Sequence, residues 1–183
     1  MPLSKYDAIP IVMDVFIKEK PRVVLDVGIG MGAWGVLLRG LLDWADERYL
    51  KEVYQDSWTI IDGIEIFEGY HSPIWDYAYS KIMIGDVVDL IGDIKQSYYT
   101  IILMADVMEH LEENDKKYVI SEACSKTGRY VIVVAPNRLT VNDSYRDINP
   151  HEKHLSIVEL SDFPEGTKMR KAREQNIFIF RKF

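Results

Sequence analysis

Acidic side chains and glycines follow several apolar runs in this sequence, and their spacing suits one kind of ligand. Asp26, Gly28, Gly30 and Gly32 alternate directly after Val23-Val24-Leu25. Three glycines at alternate positions strip the Cβ from a tight turn, so that a ligand can rest against bare backbone. The residues from Ala33 onward read as a helix start, whose first amides lack intrahelical partners and point back at the turn. Strand, turn and helix N-terminus together make a nucleotide-type crevice. Gly28-x-Gly30-x-x-Ala33 would pass as a dinucleotide fingerprint. Asp26 argues for something else, since a carboxylate two residues before the first glycine repels a pyrophosphate. It suits a ligand that carries an ammonium group near the turn. Glu65 ends a second apolar run, where two carboxylate oxygens match the vicinal hydroxyls of a ribose. Asp86 follows a third run and is placed to accept a bond from an adenine amino group, with Val87 packing beside the ring. Asp106 follows a fourth run, three residues ahead of Glu109 and His110.

These residues need a parallel sheet whose strand ends share one edge. Arg22–Val27, Trp58–Ile66, Lys81–Ile84, Tyr99–Ala105 and Arg129–Ala135 are short apolar runs of the kind buried on both faces. Between them lie helical patterns. Tyr6–Lys20 puts Ile9, Met13, Phe16 and Ile17 on one face and stops at Pro21. Ala33–Leu42 follows the glycine turn. Tyr70–Ser80 reads as a short helix with Ser72 as cap and Pro73 in its first turn. Asn114 is the expected cap of the next helix, whose apolar stripe is Val119, Ile120, Ala123 and Cys124. Thr167–Arg173 and Gln175–Arg181 read as a closing hairpin. Asn137–Leu155 is polar and turn-rich, a length that marks a functional loop, and reads as a substrate lid.

Composition narrows the classes. The chain has 183 residues, enough for one domain and its core. Its net charge is -7, and the one basic cluster, Lys168–Arg173, alternates as a solvated edge strand would. Nucleic-acid affinity draws on basic surface that displaces counterions, so a small acceptor is the expected partner rather than nucleic acid. No apolar run reaches membrane-spanning length, so no membrane span is expected. The first residues lack the order of a secretion signal, and the single Cys124 points to a reducing, cytoplasmic setting.

The run Asp26-x-Gly28-x-Gly30-x-Gly32 closely resembles the first motif of the class I S-adenosylmethionine-dependent methyltransferases. Gly63-Ile64-Glu65-Ile66 is similar to that family's second motif, and Gly85-Asp86-Val87 to its third. Asp106-x-x-Glu109-His110-Leu111 resembles the segment after the fourth strand in many small-molecule members. His154-Leu155-Ser156, then Asp162-Phe163, resembles their loop after the fifth strand. The resemblance implies a Rossmann-like three-layer α/β/α sandwich over residues 1–183. Its seven-stranded, mostly parallel sheet ends in an antiparallel hairpin. It implies S-adenosyl-L-methionine as cofactor, held by Asp26, Gly28, Gly30, Gly32, Glu65, Ile66, Asp86, Val87 and Asp106. One departure stands out. Glu65 follows Gly32 by 33 positions, against about 20 in a dinucleotide unit, so an extra helical segment is expected near Asp43–Gln55.

The implied reaction is methyl transfer to an oxygen or nitrogen of a small molecule. A base is needed only where the acceptor must lose a proton. His110 and His154, with Asp106 as orienting acid, are the expected catalytic groups, and His151 is a further candidate because imidazole titrates near neutrality. The Asp106-x-x-Glu109-His110 spacing with a later histidine also resembles the metal-dependent small-RNA 2′-O-methyltransferases. Those normally carry Glu where Asp106 stands, and the acidic balance argues against RNA, so no metal is expected. A catalytically silent cofactor binder or structural protein is the alternative. A nicotinamide-dependent oxidoreductase is a weaker one, disfavoured by Asp26, Gly32 and the late Glu65.

Overall fold

Side-chain alternation along the strands decides what each helix covers. In the computed structural model, which describes residues 6–44, 59–138 and 149–183, β1 (Val23–Val27) is an interior strand of the sheet, third from one edge. β2 (Ile60–Glu65) and β4 (Ile101–Ala105) pair with it in parallel on either side. β3 (Lys81–Ile84) lies outside β2, and β5 (Tyr130–Pro136) outside β4, again in parallel. β7 (Gln175–Arg181) then runs antiparallel to β5, and β6 (Lys168–Lys171) antiparallel to β7. The order is β3-β2-β1-β4-β5-β7-β6, a seven-stranded sheet with the expected closing hairpin.

Leu25, Val27, Ile102, Met104, Val131 and Val133 point to one face. There they meet α4 (Val87–Leu90) and α5 (Glu113–Lys126). Val24, Ile101, Leu103, Ile132 and Val134 point to the other. They pack on α1 (Ile9–Glu19), α2 (Ala33–Arg39) and α3 (Pro73–Ala78). Apolar residues at successive positions therefore feed both layers, which is why the strands read as unbroken hydrophobic runs. Cys124 lies in the α5 layer and its thiol is pushed up to about 12 by burial, so it serves as core. The basic run forms the exposed edge strand β6, where lysine and arginine discourage pairing with another sheet.

Two caps differ from expectation. α5 begins two residues early: its N-cap is Glu112, whose carbonyl accepts from Lys116 N, leaving Asn114 inside the first turn. Ser72 precedes α3, but its carbonyl rather than its hydroxyl takes the first donor, Trp75 N at 2.9 Å. The helix is also shorter than read, because a 3-10 turn occupies Glu68–Tyr70. α2 widens into a π turn over Gly40–Trp44. Its end is pinned by the buried Arg39, which donates to Asp43, Ala78 O, Thr59 O and Ser80. Asp43 in turn accepts from Thr59 N at 2.9 Å, so the two ends of the 45–58 segment are tied together. Beyond Trp44 the expected extra helix lies outside the described residues, as does 139–148 of the expected lid. Among the described residues no helix is long and apolar enough to cross a membrane.

Candidate active site

The C-terminal ends of the parallel strands open onto a cleft of about 250 Å³. Open α/β sheets bind ligands at this edge, where the chain turns to opposite faces. Gly28, Gly30, Glu65, Ile66, Asp86, Val87, Asp106 and His110 all line it, as the sequence predicts.

The glycine turn has a left-handed backbone at all three positions, with φ of 77° at Gly28, 53° at Gly30 and 82° at Gly32. Residues with a Cβ avoid this region. The Gly30 peptide is held from two sides. Its N–H donates to Glu65 Oε2 at 2.8 Å, and its carbonyl accepts from the indole Nε1 of Trp75 at 2.8 Å. Trp75 is wholly buried, and nothing in its local sequence marks it as a partner of the turn. Removing the indole N–H orphans a carbonyl in the turn, a loss worth roughly 1–3 kcal/mol. Trp75→Phe should therefore lower unfolding stability by at least that amount in urea titration, the cavity left by the smaller ring adding to the loss.

Glu65 is buried, and both its oxygens face backbone amides, Oε1 accepting from Phe67 N at 3.0 Å. Burial raises its pKa, and the amides of Gly30 and Phe67 oppose the rise. Each oxygen keeps a further lone pair for a ligand hydroxyl. Asp86 is the N-cap of α4, its Oδ1 accepting from Val88 N at 2.9 Å. That leaves its second oxygen for the cleft. Asp106 adopts φ 55°, a rare conformation for a residue with a Cβ. Its Oδ1 accepts from Gln175 Nε2 at 2.8 Å, so the start of β7 helps to aim it.

Asp26 departs from expectation. It does not line the cleft but lies fully buried beneath the glycine turn. Tyr79 donates its hydroxyl to Asp26 Oδ2 at 2.6 Å and accepts from Gly35 N, joining the acid to the start of α2. Oδ1 has no hydrogen-bond partner. Direct contact with an ammonium is thus replaced by support of the turn, because β1 points this side chain into the α2–α3 layer. Burial pushes its pKa up to about 7, the Tyr79 bond opposing and the Glu65 charge adding to the rise. A carboxyl raised above its unfolded value favours the fold most at low pH, and that stability is lost as pH rises through the folded value. From pH 4 to pH 8 the loss is on the order of 4 kcal/mol. Asp26→Asn should flatten this part of the curve, so its melting temperature should gain on wild type as pH rises from 5 to 8.

The histidines separate. His110 lines the cleft, as does His151, but His154 does not. It packs edge-to-face on His110, ring centroids 4.9 Å apart. Burial lowers the pKa of both, and their mutual charge lowers that of His154 further, so neutral rings prevail at neutral pH. Gly32 also lies off the cleft, as the N-cap of α2 against Ile74. Three residues that spacing did not flag complete the far wall. Tyr70 donates to Glu152 at 2.7 Å and accepts from Asn149 at 3.1 Å, bridging the turn after β2 to the segment after β5. Among the described residues the lining holds six carboxylates (Glu65, Asp86, Asp106, Glu112, Asp115 and Glu152) and no Lys or Arg, a field suited to a cationic ligand.

Solved structures share this fold. A SAM-dependent methyltransferase from Archaeoglobus fulgidus superposes with TM-score 0.66 at 14% identity, over 96% of this chain and 92% of that one. Magnesium protoporphyrin IX methyltransferase from Synechocystis, with bound SAH, gives 0.62 at 17% identity, over 96% and 82%. This is the class I S-adenosylmethionine-dependent methyltransferase fold. A putative O-methyltransferase from Nostoc punctiforme adds a TM-score of 0.60 at 11% identity, over 96% of this chain and 56% of that one. No family profile and no curated protein sequence matches the chain. In this chain the acids at the tips of β2, β3 and β4 surround one cleft beside the glycine turn.

Proposed function

We propose that this chain is an S-adenosyl-L-methionine-dependent methyltransferase acting on an oxygen or nitrogen of a small molecule. The observation that carries the reading is the placement of Glu65. It is locked to the Gly30 amide, buried, and on the wall of the cleft beside a turn stripped of Cβ atoms. A pyrophosphate would meet carboxylates on every side here. A nucleoside with positive charge would not.

When bound, the cofactor supplies an electrophilic methyl group on a sulfonium. The chain's own residues do the rest. Glu65 accepts from the ribose hydroxyls, and Ile66 borders the same wall. Asp86 accepts from the adenine amino group while Val87 covers the ring. Asp106 and His110 face the acceptor space. Holding donor and acceptor in line accounts for roughly 7–11 kcal/mol of a barrier of this kind. Where the acceptor has a proton to lose, His110 is the group to take it. Its Nδ1 lies 3.1 Å from the Lys153 carbonyl, which accepts only, so Nδ1 carries the hydrogen and Nε2 carries the lone pair. His154 supports that ring from behind.

Thermal-shift and calorimetric titration with S-adenosylhomocysteine and with NAD separates the readings. Stabilisation by the first alone supports the proposal. NAD binding with no response to S-adenosylhomocysteine overturns it. Turnover with a panel of small amines and alcohols then divides an enzyme from a silent binder.

A further inference from the structure

The cleft holds more carboxylates than the cofactor uses. Glu65 takes the ribose, Asp86 takes the adenine, and Asp106 faces the acceptor space with His110. No part of the cofactor falls to Glu112, Asp115 or Glu152, which line the same cleft. They come from two elements: Glu112 and Asp115 from the start of α5, and Glu152 from the 3-10 turn Pro150–Glu152. We infer that the acceptor is a small bifunctional amine, whose protonated nitrogen sits among Glu112, Asp115 and Glu152 while a second nitrogen or oxygen takes the methyl group. This rests on the methyltransferase reading and names the substrate class of that same cleft.

The charges at the start of α5 are sorted. Glu113, which is not part of the cleft lining, pairs with Lys116 and Lys117, each at 2.8 Å. Among the described residues neither Glu112 nor Asp115 has an ion-pair partner, although these lysines follow on the same helix. Carboxylates at a helix N-terminus are favourable in themselves. That accounts for acids here but not for their division into paired and unpaired. Glu152 is 9% exposed, and its Oε1 is held by the Tyr70 hydroxyl. A charge so enclosed attracts a cation more strongly than one screened by water. Leu111, Leu155 and the Tyr70 ring line the cleft as well, apolar surface for the methylenes that join the two ends of the acceptor.

The chemistry requires two ends. Carboxylates around an ammonium favour its charged form and hold its proton. A nitrogen in that state has no lone pair to give, so the methylated atom is the other one. There the acceptor's electron pair forms the bond to carbon, the methyl–sulfur pair stays on sulfur, and the proton released goes to His110 Nε2. The anchored nitrogen is unchanged throughout.

Calorimetry on protein saturated with S-adenosylhomocysteine tests this with diaminobutane, aminobutanol, butanediol and succinate, which share a carbon count and differ in charge. Both amines should bind saturably, at least about tenfold more tightly than butanediol, and succinate should not bind. Glu112→Gln combined with Asp115→Asn should weaken diaminobutane by at least about tenfold and leave S-adenosylhomocysteine affinity unchanged. Both side chains are exposed, and Glu112 caps α5 through its carbonyl, so the variant keeps its fold. Asp93→Asn combined with Glu165→Gln removes the same charge from exposed positions outside the cleft lining and should leave diaminobutane affinity unchanged. Butanediol or succinate bound as tightly as the amines overturns the inference, and so does the absence of saturable amine binding. Equal losses in the two double variants overturn it too, since they reduce the attraction to net charge. S-adenosylhomocysteine is titrated first and alone, so a chain that binds it but no amine loses this inference and keeps the methyltransferase reading.

Discussion

Gly28→Ala is expected to lower affinity for S-adenosylhomocysteine by at least about 100-fold, equivalent to about 2.7 kcal/mol. A Cβ at this position would stand 2.1 Å from Val107 Cγ2, and Val107 itself walls the cleft. The new methyl must drive Val107 into the ligand space or move the turn. Neither is cheap. The left-handed φ costs roughly 1–2 kcal/mol and overpacking a filled site another 1–3. Urea denaturation should therefore show about 2–5 kcal/mol of lost stability alongside the lost binding. Gly166 is the matched control, with φ 87° and nothing within 4 Å of a built Cβ. Gly166→Ala should cost only the backbone term, about 1–2 kcal/mol, and leave affinity unchanged. Equal binding losses in the two variants would remove Val107 from the argument.

Glu65→Gln should produce a similar fall in affinity, about 100-fold by calorimetry, with a loss of stability near 1–3 kcal/mol. The carboxylate accepts from Gly30 N and Phe67 N through different oxygens. An amide replaces one of those oxygens with an NH₂ that confronts an N–H, so one bond becomes a donor–donor contact. The charge that strengthened the other is gone. The ribose then meets one acceptor where it had two. If Glu65→Gln binds S-adenosylhomocysteine as tightly as wild type, the acid supports the turn alone and the sugar is held elsewhere.

Both variants act on features already visible in the chain. The glycine spacing and the acid after the second apolar run are local patterns, and the backbone that carries them needs little from elsewhere. The same holds for the strands. Runs such as Ile101–Ala105 are apolar at every position because helices cover both faces, and the alternation in Gln175–Arg181 belongs to the antiparallel end of the sheet. Where expectation failed, the deciding partner was a backbone group or distant in sequence. Ser72 and Asn114 have the right side chains for caps, but the first amides went to backbone carbonyls instead, that of Ser72 itself and that of Glu112.

By itself, then, the sequence determined the sheet, the hairpin, the glycine turn and the edge where the acids gather. These follow from periodicity and from backbone freedom, which nearest neighbours set. Only the tertiary structure decided what each acid does. Asp26 and Tyr79 are 53 residues apart, Gly30 and Trp75 are 45 apart, and His110 meets the Lys153 carbonyl across 43. No local pattern encodes such pairs. Sheet register and helix packing brought them together, turning one expected ligand contact into buried support and leaving Glu109 without a partner.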